Sequence, residues 1–345
     1  MRCRGSDRLR STYPSKSRFI RKDKEGVASV VGTIMALLIF LTLLTLFVNT
    51  WMPVTLKEHE RTHMDSVMNE FGYMKGSLDN MVIYTRLSGQ PSLPVYQSID
   101  LGSEGIPAFA SPTAGLLTIT PVGGSTSMSR LTVTVGGVSV SPSPGGGSIE
   151  FYAPNRYYVQ QWIAYENGAI ILKQDDGQIA RSKPGIIFLL DSNSPSGPVL
   201  NTVFYQTSLI GKASSNSGTG SIGINLEVVT VMESNYRPDV DSNIVFDFTT
   251  KYGEAYYNYL VETLTGIAGM PLLGSEANRK VTINPDHYYY QNQAPGNLDP
   301  TKLFWKVELN KNPTTGIYTV SLTIKNVGIS NVAYYHSFVN YEVTK

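Results

Sequence analysis

The chain has 345 residues, 16% of them charged, and a formal net charge of +1. A net charge this close to zero argues against a nucleic-acid binder, and the abundant aromatic and β-branched residues argue against disorder. The length suits one or two domains with a real core. The single cysteine, Cys3, excludes an intramolecular disulfide.

Charge is unevenly distributed along the chain. The first 26 residues carry nine basic and three acidic side chains, whereas the remainder carries 19 basic and 24 acidic ones. The sequence therefore consists of a basic leader, residues 1–26, and a mildly acidic body.

An uncharged apolar segment follows the leader, from Val27 to Met52. A helix of this length rises about 39 Å, and the hydrocarbon core of a bilayer is about 30 Å thick. Because backbone groups in lipid need internal partners, we predict a transmembrane helix with Trp51 near the interface. A buried helix of a soluble core is disfavoured, since such helices are rarely uncharged over this length. The positive-inside rule places residues 1–26 in the cytoplasm and the body outside the cell.

The apolar segment is long, and no small-x-small site of the conventional secretory kind follows it. Instead Lys24-Glu25-Gly26 directly precedes the apolar segment, which contains Val30-Val31-Gly32-Thr33-Ile34. This arrangement resembles the class III signal peptide and helix start of archaeal type IV pilin-like proteins. The resemblance implies that a prepilin peptidase cuts between Gly26 and Val27 and removes Cys3 with the leader. It also implies that the helix resides in the membrane or in a filament core with sister subunits.

Residues 53–87 continue the helix in amphipathic form. Apolar residues recur there with heptad spacing. This stripe comprises Met64, Val67, Phe71, Met74, Leu78 and Met81. It packs either on the protein's own body, which is the favoured interpretation, or on neighbouring subunits. Pro53, Gly72 and Gly76 allow breaks or bends in the helix, and a Gly- and Pro-containing linker is predicted at 88–97.

Period-two alternation dominates residues 98–345 and predicts an extracellular, mainly antiparallel β-rich domain, sandwich-like, with one inserted helix at 253–265. Gly136-Gly137 and Glu166-Asn167-Gly168 are predicted tight turns, and 311–316 is a predicted hairpin loop. The predicted strands are 115–121, two within 131–140, 168–174, 185–191, 222–232, 243–249, 280–284, 302–310, 317–326 and 334–343. The fold class is therefore α+β. The segment 157–177 also resembles a block of uncharacterised archaeal pilin-like surface proteins.

One motif could carry enzymatic chemistry. His59-Glu60-Arg61-Thr62-His63 fits H-E-x-x-H, in which two imidazoles on one helix face hold Zn²⁺ and the glutamate acts as general base. Glu70 or Asp79 could supply a third ligand, but neither belongs to a recognisable motif. The charged surroundings favour an exposed, charged helix surface, so no metal or catalytic site is predicted. A membrane zinc metalloprotease is kept as an alternative.

Three weaker patterns have ordinary interpretations. Gly218–Gly223 matches G-x-G-x-x-G, but a strand follows it, which favours a loop over a dinucleotide site. Asp239, Asp241 and Asn243 resemble half of a calcium loop that lacks its glycine, which favours a solvated turn over a Ca²⁺ site shared with Asp247 or Asp286. Tyrosine clusters on strands are expected to place at least one ring outward, on ordinary sheet faces or towards sugars or subunits.

Together these observations favour a pilin-like cell-surface structural or assembly protein that is not an enzyme and takes no cofactor. Its expected partners are membrane lipid, a prepilin peptidase and sister pilin-like subunits, with no nucleic acid. The alternative is an unprocessed, single-pass anchored surface protein for adhesion or ligand binding.

Overall fold

The computed structural model describes residues 17–123, 129–139, 145–191, 199–236, 243–267, 272, 280–294, 303–325 and 328–344. The chain divides into two compact units, Met1–Thr55 and Leu56–Lys345. The helices of the described residues are α1 (Ser17–Leu46), α2 (Met52–Ser88) and α3 (Gly253–Gly266), with a π-helical turn between α1 and α2. The predicted helix at 253–265 is thus confirmed.

The π-helical turn spans Phe47–Trp51 and ends two residues before Pro53. Proline has no N–H to donate, and its ring clashes with the carbonyl four residues earlier, so a regular α-turn is disfavoured here. The backbone N–H of Met52 donates instead to the carbonyl of Phe47, five residues back. The helix therefore widens at the proline without ending, and α2 also continues through Gly72 and Gly76.

The strands follow α2 and fill most of the second unit. They are β1 (Val95–Asp100), β2 (Gly115–Thr120), β3 (Arg130–Val135), β4 (Val138–Ser139), β5 (Ser148–Ala153), β6 (Gln161–Glu166), β7 (Ala169–Gln174), β8 (Gly177–Ser182), β9 (Ile186–Asp191), β10 (Val199–Ile210), β11 (Ser214–Gly218), β12 (Ser221–Tyr236), β13 (Ile244–Thr250), β14 (Lys280–Asn284), β15 (His287–Gln291), β16 (Phe304–Lys311), β17 (Tyr318–Lys325) and β18 (Gly328–Thr344). β1 takes up residues 95–97, which the sequence assigned to the linker, because Val95 and Tyr96 pair with β12.

These strands form three sheets in the described part of the chain. The five-stranded sheet has the order β1-β12-β18-β10-β9, the six-stranded sheet β11-β2-β5-β6-β7-β8, and the seven-stranded sheet β14-β15-β16-β17-β13-β3-β4. β10 and β18 run parallel, with Phe204 opposite Tyr334, whereas the other paired strands described are antiparallel. The predicted α+β class, a long apolar helix followed by a mainly antiparallel β-rich domain, is confirmed.

Two predicted tight turns have the backbone that their sequences require. Gly136 and Gly137, between β3 and β4, have φ angles of 57° and 85°, and Asn167 and Gly168, between β6 and β7, have 45° and 77°. Two successive positive φ angles define a type I′ turn, whose twist matches that of paired strands. Glycine and asparagine tolerate this conformation, so the local sequence fixes the register of both hairpins.

Two apolar cores hold the second unit together. In one, Tyr256, Leu260 and Leu264 of α3 are buried with Phe246 and Phe248 of β13. In the other, the whole α2 stripe is buried among apolar residues of the five- and six-stranded sheets. Val67, Phe71 and Met74 are completely inaccessible to solvent. The stripe therefore packs on the protein's own sheets, as the favoured interpretation expected.

Candidate functional site

The first unit presents an apolar surface on all sides of its helix. Twelve large apolar side chains between Val27 and Leu46 are exposed, with values from 44% to 67%. None of the most apolar 18-residue window is buried, and its helix, Val27–Ser88, is long and apolar enough to cross a membrane. A soluble amphipathic helix exposes only a polar face, so this surface needs lipid or protein around it.

Three threonine hydroxyl groups of this apolar helix are satisfied within the helix itself. Thr33 donates to the carbonyl of Val30 at 2.8 Å, and Thr42 donates to that of Ile39 at 2.8 Å. Thr45 likewise bonds a carbonyl four residues back, at 2.7 Å. An unpaired hydroxyl in hydrocarbon would cost several kcal/mol. The threonines are therefore compatible with an apolar environment.

The H-E-x-x-H motif is not the exposed surface that its charged neighbours suggested. Glu60 is only 2% exposed and His63 is 9% exposed, so that expectation is wrong for both residues. Glu58 and Arg61 do lie in solvent and form a 3.6 Å ion pair. Glu60 and His63 therefore lie on the buried face of α2, whereas Glu58 and Arg61 lie on its exposed face, because consecutive residues on a helix are about 100° apart.

The Glu60 carboxylate is held by four donors. Oε1 accepts from the Thr113 hydroxyl at 2.8 Å and from the Arg156 backbone N–H at 2.9 Å. Oε2 accepts from the backbone N–H groups of Tyr157 and Tyr158 at 2.8 and 2.7 Å. Charge-assisted hydrogen bonds of this kind are the strong ones in proteins. Glu60 thus clamps α2 to the turn between β5 and β6, and its oxygens are not free to act as a general base.

The motif histidines bind backbone carbonyls. His63 donates from Nε2 to the carbonyl of Asp100 at 2.9 Å, and His59 Nδ1 lies 3.2 Å from the carbonyl of Glu104. Burial lowers the pKa of His63, which favours the neutral imidazole. Glu70 accepts from the Asp100 N–H at 3.1 Å. Two side chains of α2 thus form hydrogen bonds with the carbonyl and the N–H of Asp100, the last residue of β1.

The described residues contain no group of three or more His, Cys, Asp or Glu placed to hold a metal ion. Glu70 binds the β1 backbone, as above, and Asp79 pairs with Lys75 on α2. Neither joins His59 and His63. With Glu60 engaged as well, the zinc-protease alternative has no support in this geometry.

The other weak patterns also have ordinary surroundings. Gly218 ends β11 and Ser221 begins β12, so the glycine-rich segment is a strand-to-strand turn followed by the first residues of β12. Asp239 and Asp241 of the calcium-loop pattern lie outside the described residues. Asp247 accepts from the Ser321 hydroxyl at 2.5 Å, so its carboxylate already serves the pairing of β13 with β17.

The Tyr334-Tyr335 cluster departs from the expectation that at least one ring of a strand cluster points outward. Tyr334 and Tyr335 point to opposite faces of β18, yet they are 1% and 7% exposed. Both faces of β18 are therefore buried at this point, and the alternation of residues along one strand cannot show that both of its faces are buried. On one face Tyr335 stacks on Tyr205, with ring centroids 5.0 Å apart, and the Arg86 guanidinium lies 4.0 Å from its centroid.

A serine–histidine pair joins residues that the sequence left isolated. Ser208 Oγ on β10 lies 2.5 Å from His336 Nε2 on β18. Both residues are fully buried, and burial lowers the pKa of His336 to about 4. No substrate can reach a hydroxyl enclosed in this way, so the pair stabilises the β10–β18 interface. The two residues are 128 positions apart in sequence, which explains why spacing gave no signal for the pair.

Glu166 is a second buried polar group that sequence inspection missed. Its side chain is inaccessible, and Oε2 accepts from the Thr250 hydroxyl at 2.6 Å. Burial raises the pKa of this carboxyl from 4.5 to about 7. The folded state therefore binds more protons than the unfolded state between these two pH values, and stability falls as pH rises through that window. The total loss is about 3 kcal/mol.

We expect Glu166→Gln to remove this pH dependence. A neutral amide keeps the acceptor for Thr250, so the variant should gain stability relative to wild type between pH 5 and pH 8, by about 3 kcal/mol. Denaturant unfolding of the full chain in detergent at both pH values measures the difference. Glu227→Gln on β12 is the control, because the Glu227 side chain is only partly buried. Equal pH profiles for both variants would contradict the assignment.

Comparison of the chain with known protein families, with curated proteins and with solved structures finds no match. The structure itself supplies the class of protein. One apolar helix near the N-terminus is a candidate membrane span, and a folded β-rich unit follows it. This architecture fits a single-pass anchored surface protein.

Proposed function

We propose that the chain is a pilin-like cell-surface structural or assembly protein, cut between Gly26 and Val27 by a prepilin peptidase. The observation that carries the proposal is the helix surface that is apolar on every side from Val27 onwards. Burying one large aliphatic side chain is worth about 1.5–3 kcal/mol. Twelve such exposed side chains therefore hold the helix in lipid, unless sister helices bury it in a filament core.

The helix geometry makes Gly26 a suitable place for cleavage. Gly26 and Val27 lie within α1, and a peptidase that binds an extended chain must first unwind the helix there. Glycine disfavours a helix by about 1 kcal/mol relative to alanine. Unwinding thus costs least at the glycine that joins the basic leader to the apolar segment.

The second candidate is an unprocessed anchored protein that displays its β-rich unit for adhesion or ligand binding. The burial of the α2 stripe favours it. A subunit that polymerises through this stripe would leave it exposed in the single chain, whereas here the stripe is already covered. In both cases the expected topology is a cytoplasmic N-terminus and an extracellular β-rich unit, which follows from the leader charge.

Processing distinguishes the two candidates. We expect Gly26→Trp to block cleavage, because a bulky side chain at the cut prevents close approach of the peptidase to the backbone. Gly5→Trp, elsewhere in the leader, is the control and should be cleaved normally. Each variant carries a C-terminal tag, and immunoblots of membranes from the native host compare the length of its chain with that of wild type. If wild type has the full, uncut length that is expected of Gly26→Trp, the unprocessed anchored protein is favoured.

A further inference from the structure

A cavity of about 570 Å³ lies within the second unit, between α2, the β6–β7 turn, β9 and β10, and α3. Binding sites for small molecules have volumes of about 300–1,000 Å³. The walls are mainly apolar, formed by Leu78 and Val82 of α2, Ile186 and Phe188 of β9, and Val339 of β18. The apolar surface continues outward at Ile83 and Ile187, which are 56% and 44% exposed.

Several polar groups at the cavity are already committed to the protein. The Asn167 amide donates to the carbonyl of Ser129 and accepts from Gln206 and from the Thr207 N–H. The Ser337 hydroxyl donates to the carbonyl of Gln206, and the Tyr259 hydroxyl donates to that of Ile186. An occupant of the interior therefore meets chiefly apolar surface and aromatic rings.

The charged side chains that line the cavity are two lysines and one aspartate, so one positive charge is in excess. Lys75 and Asp79, both lining residues, neutralise one another in an ion pair. Lys183 lies at the exposed rim, and within the described residues no carboxylate forms an ion pair with it. The cavity thus combines an apolar interior with a single uncompensated positive charge at its mouth.

We propose that this cavity binds a small molecule with an apolar body and one anionic group, a carboxylate or a sulfonate. The body occupies the space between α2 and β9, and the anion meets the ammonium group of Lys183. A two-chain membrane lipid is larger than the cavity, so the occupant is a free small molecule. This inference concerns the second unit alone and is independent of N-terminal processing.

The test uses the full chain in nanodiscs of phosphatidylcholine, with empty discs as the blank. The probe is 8-anilinonaphthalene-1-sulfonate, and N-phenyl-1-naphthylamine is the matched neutral molecule without the sulfonate. Lys183→Glu should weaken sulfonate binding roughly fivefold or more and leave the neutral probe unchanged, since only the charge at the mouth is reversed. Lys183→Arg should stay within about twofold of wild type. Lys212→Glu, on another exposed turn, is the charge control.

A cavity-filling variant tests the position of the apolar body. Val82→Trp should abolish binding of both probes, whereas Ile179→Trp, on the exposed side of β8, should bind as wild type does. Circular dichroism establishes that both variants are folded. The proposal is overturned if wild type binds no more probe than empty discs do, if Lys183→Glu and Lys212→Glu bind equally, or if folded Val82→Trp binds normally.

Discussion

A fragment that begins at Leu56 is expected to fold as a soluble, β-rich unit, whereas a fragment that begins at Val95 is expected to aggregate. The shorter fragment lacks α2, whose apolar stripe is buried against the sheets. Each of the six side chains of this stripe contributes about 1.5–3 kcal/mol to stability through burial. Their sum is comparable to or larger than the 5–15 kcal/mol that stabilises a typical domain.

Circular dichroism, thermal unfolding and size-exclusion chromatography of the two fragments test this expectation. Removing α2 also uncovers Ile99, Leu117 and Phe151, an apolar patch that favours aggregation. Cooperative unfolding of the Val95 fragment at the midpoint of the longer fragment would contradict the role assigned to α2. Oligomerisation of an otherwise folded Leu56 fragment would instead point to a further assembly surface.

Glu60→Gln is expected to destabilise the protein by about 2–4 kcal/mol, although it only replaces one carboxylate oxygen with an NH₂ group. The carboxylate accepts four hydrogen bonds while 2% exposed. An amide loses the charge and turns an NH₂ group towards two of the four donors, which leaves buried N–H groups unsatisfied. The loss is therefore larger than that of one ordinary hydrogen bond.

Glu58→Gln provides the matched control for this substitution. Glu58 lies two residues away on α2, with 62% of its side chain exposed, and its ion pair among the described residues is with Arg61. Exposed pairs contribute about 0–1 kcal/mol, so this variant should unfold close to wild type. Denaturant titration of the full chain in detergent measures both. Equal stability of the two variants would show that the Glu60 clamp is not needed.

The features that could be read from the sequence are local. The apolar segment after Val27, the heptad stripe of α2 and the turns at Gly136-Gly137 and Asn167-Gly168 depend on neighbouring residues. Their structures follow directly from periodicity and backbone preference. β10 was missed because Thr202, Gln206 and Ser208 point into the protein interior and interrupt the apolar pattern. β11, Ser-Ser-Asn-Ser-Gly, is a polar edge strand with no apolar pattern to detect.

The contacts at the candidate site could not be predicted, because they join distant parts of the chain. Glu60 meets Thr113 and the backbone of residues 156–158, and nothing near Glu60 in sequence marks it as different from Glu58. The cavity beside Lys183 likewise requires α2, α3 and four separate strands to come together. Such sites are products of tertiary packing, so one sequence without structure gives no signal for them.

The mature N-terminus of the protein tests the central proposal most directly. The protein is purified from membranes and from any surface filaments of its native host, and its terminal peptide is identified by mass spectrometry. Processing at the leader predicts a chain that begins at Val27, with no peptide from residues 1–26. Peptides that contain Met1 or Cys3, attached to the protein at the cell surface, would contradict it and establish an unprocessed anchor.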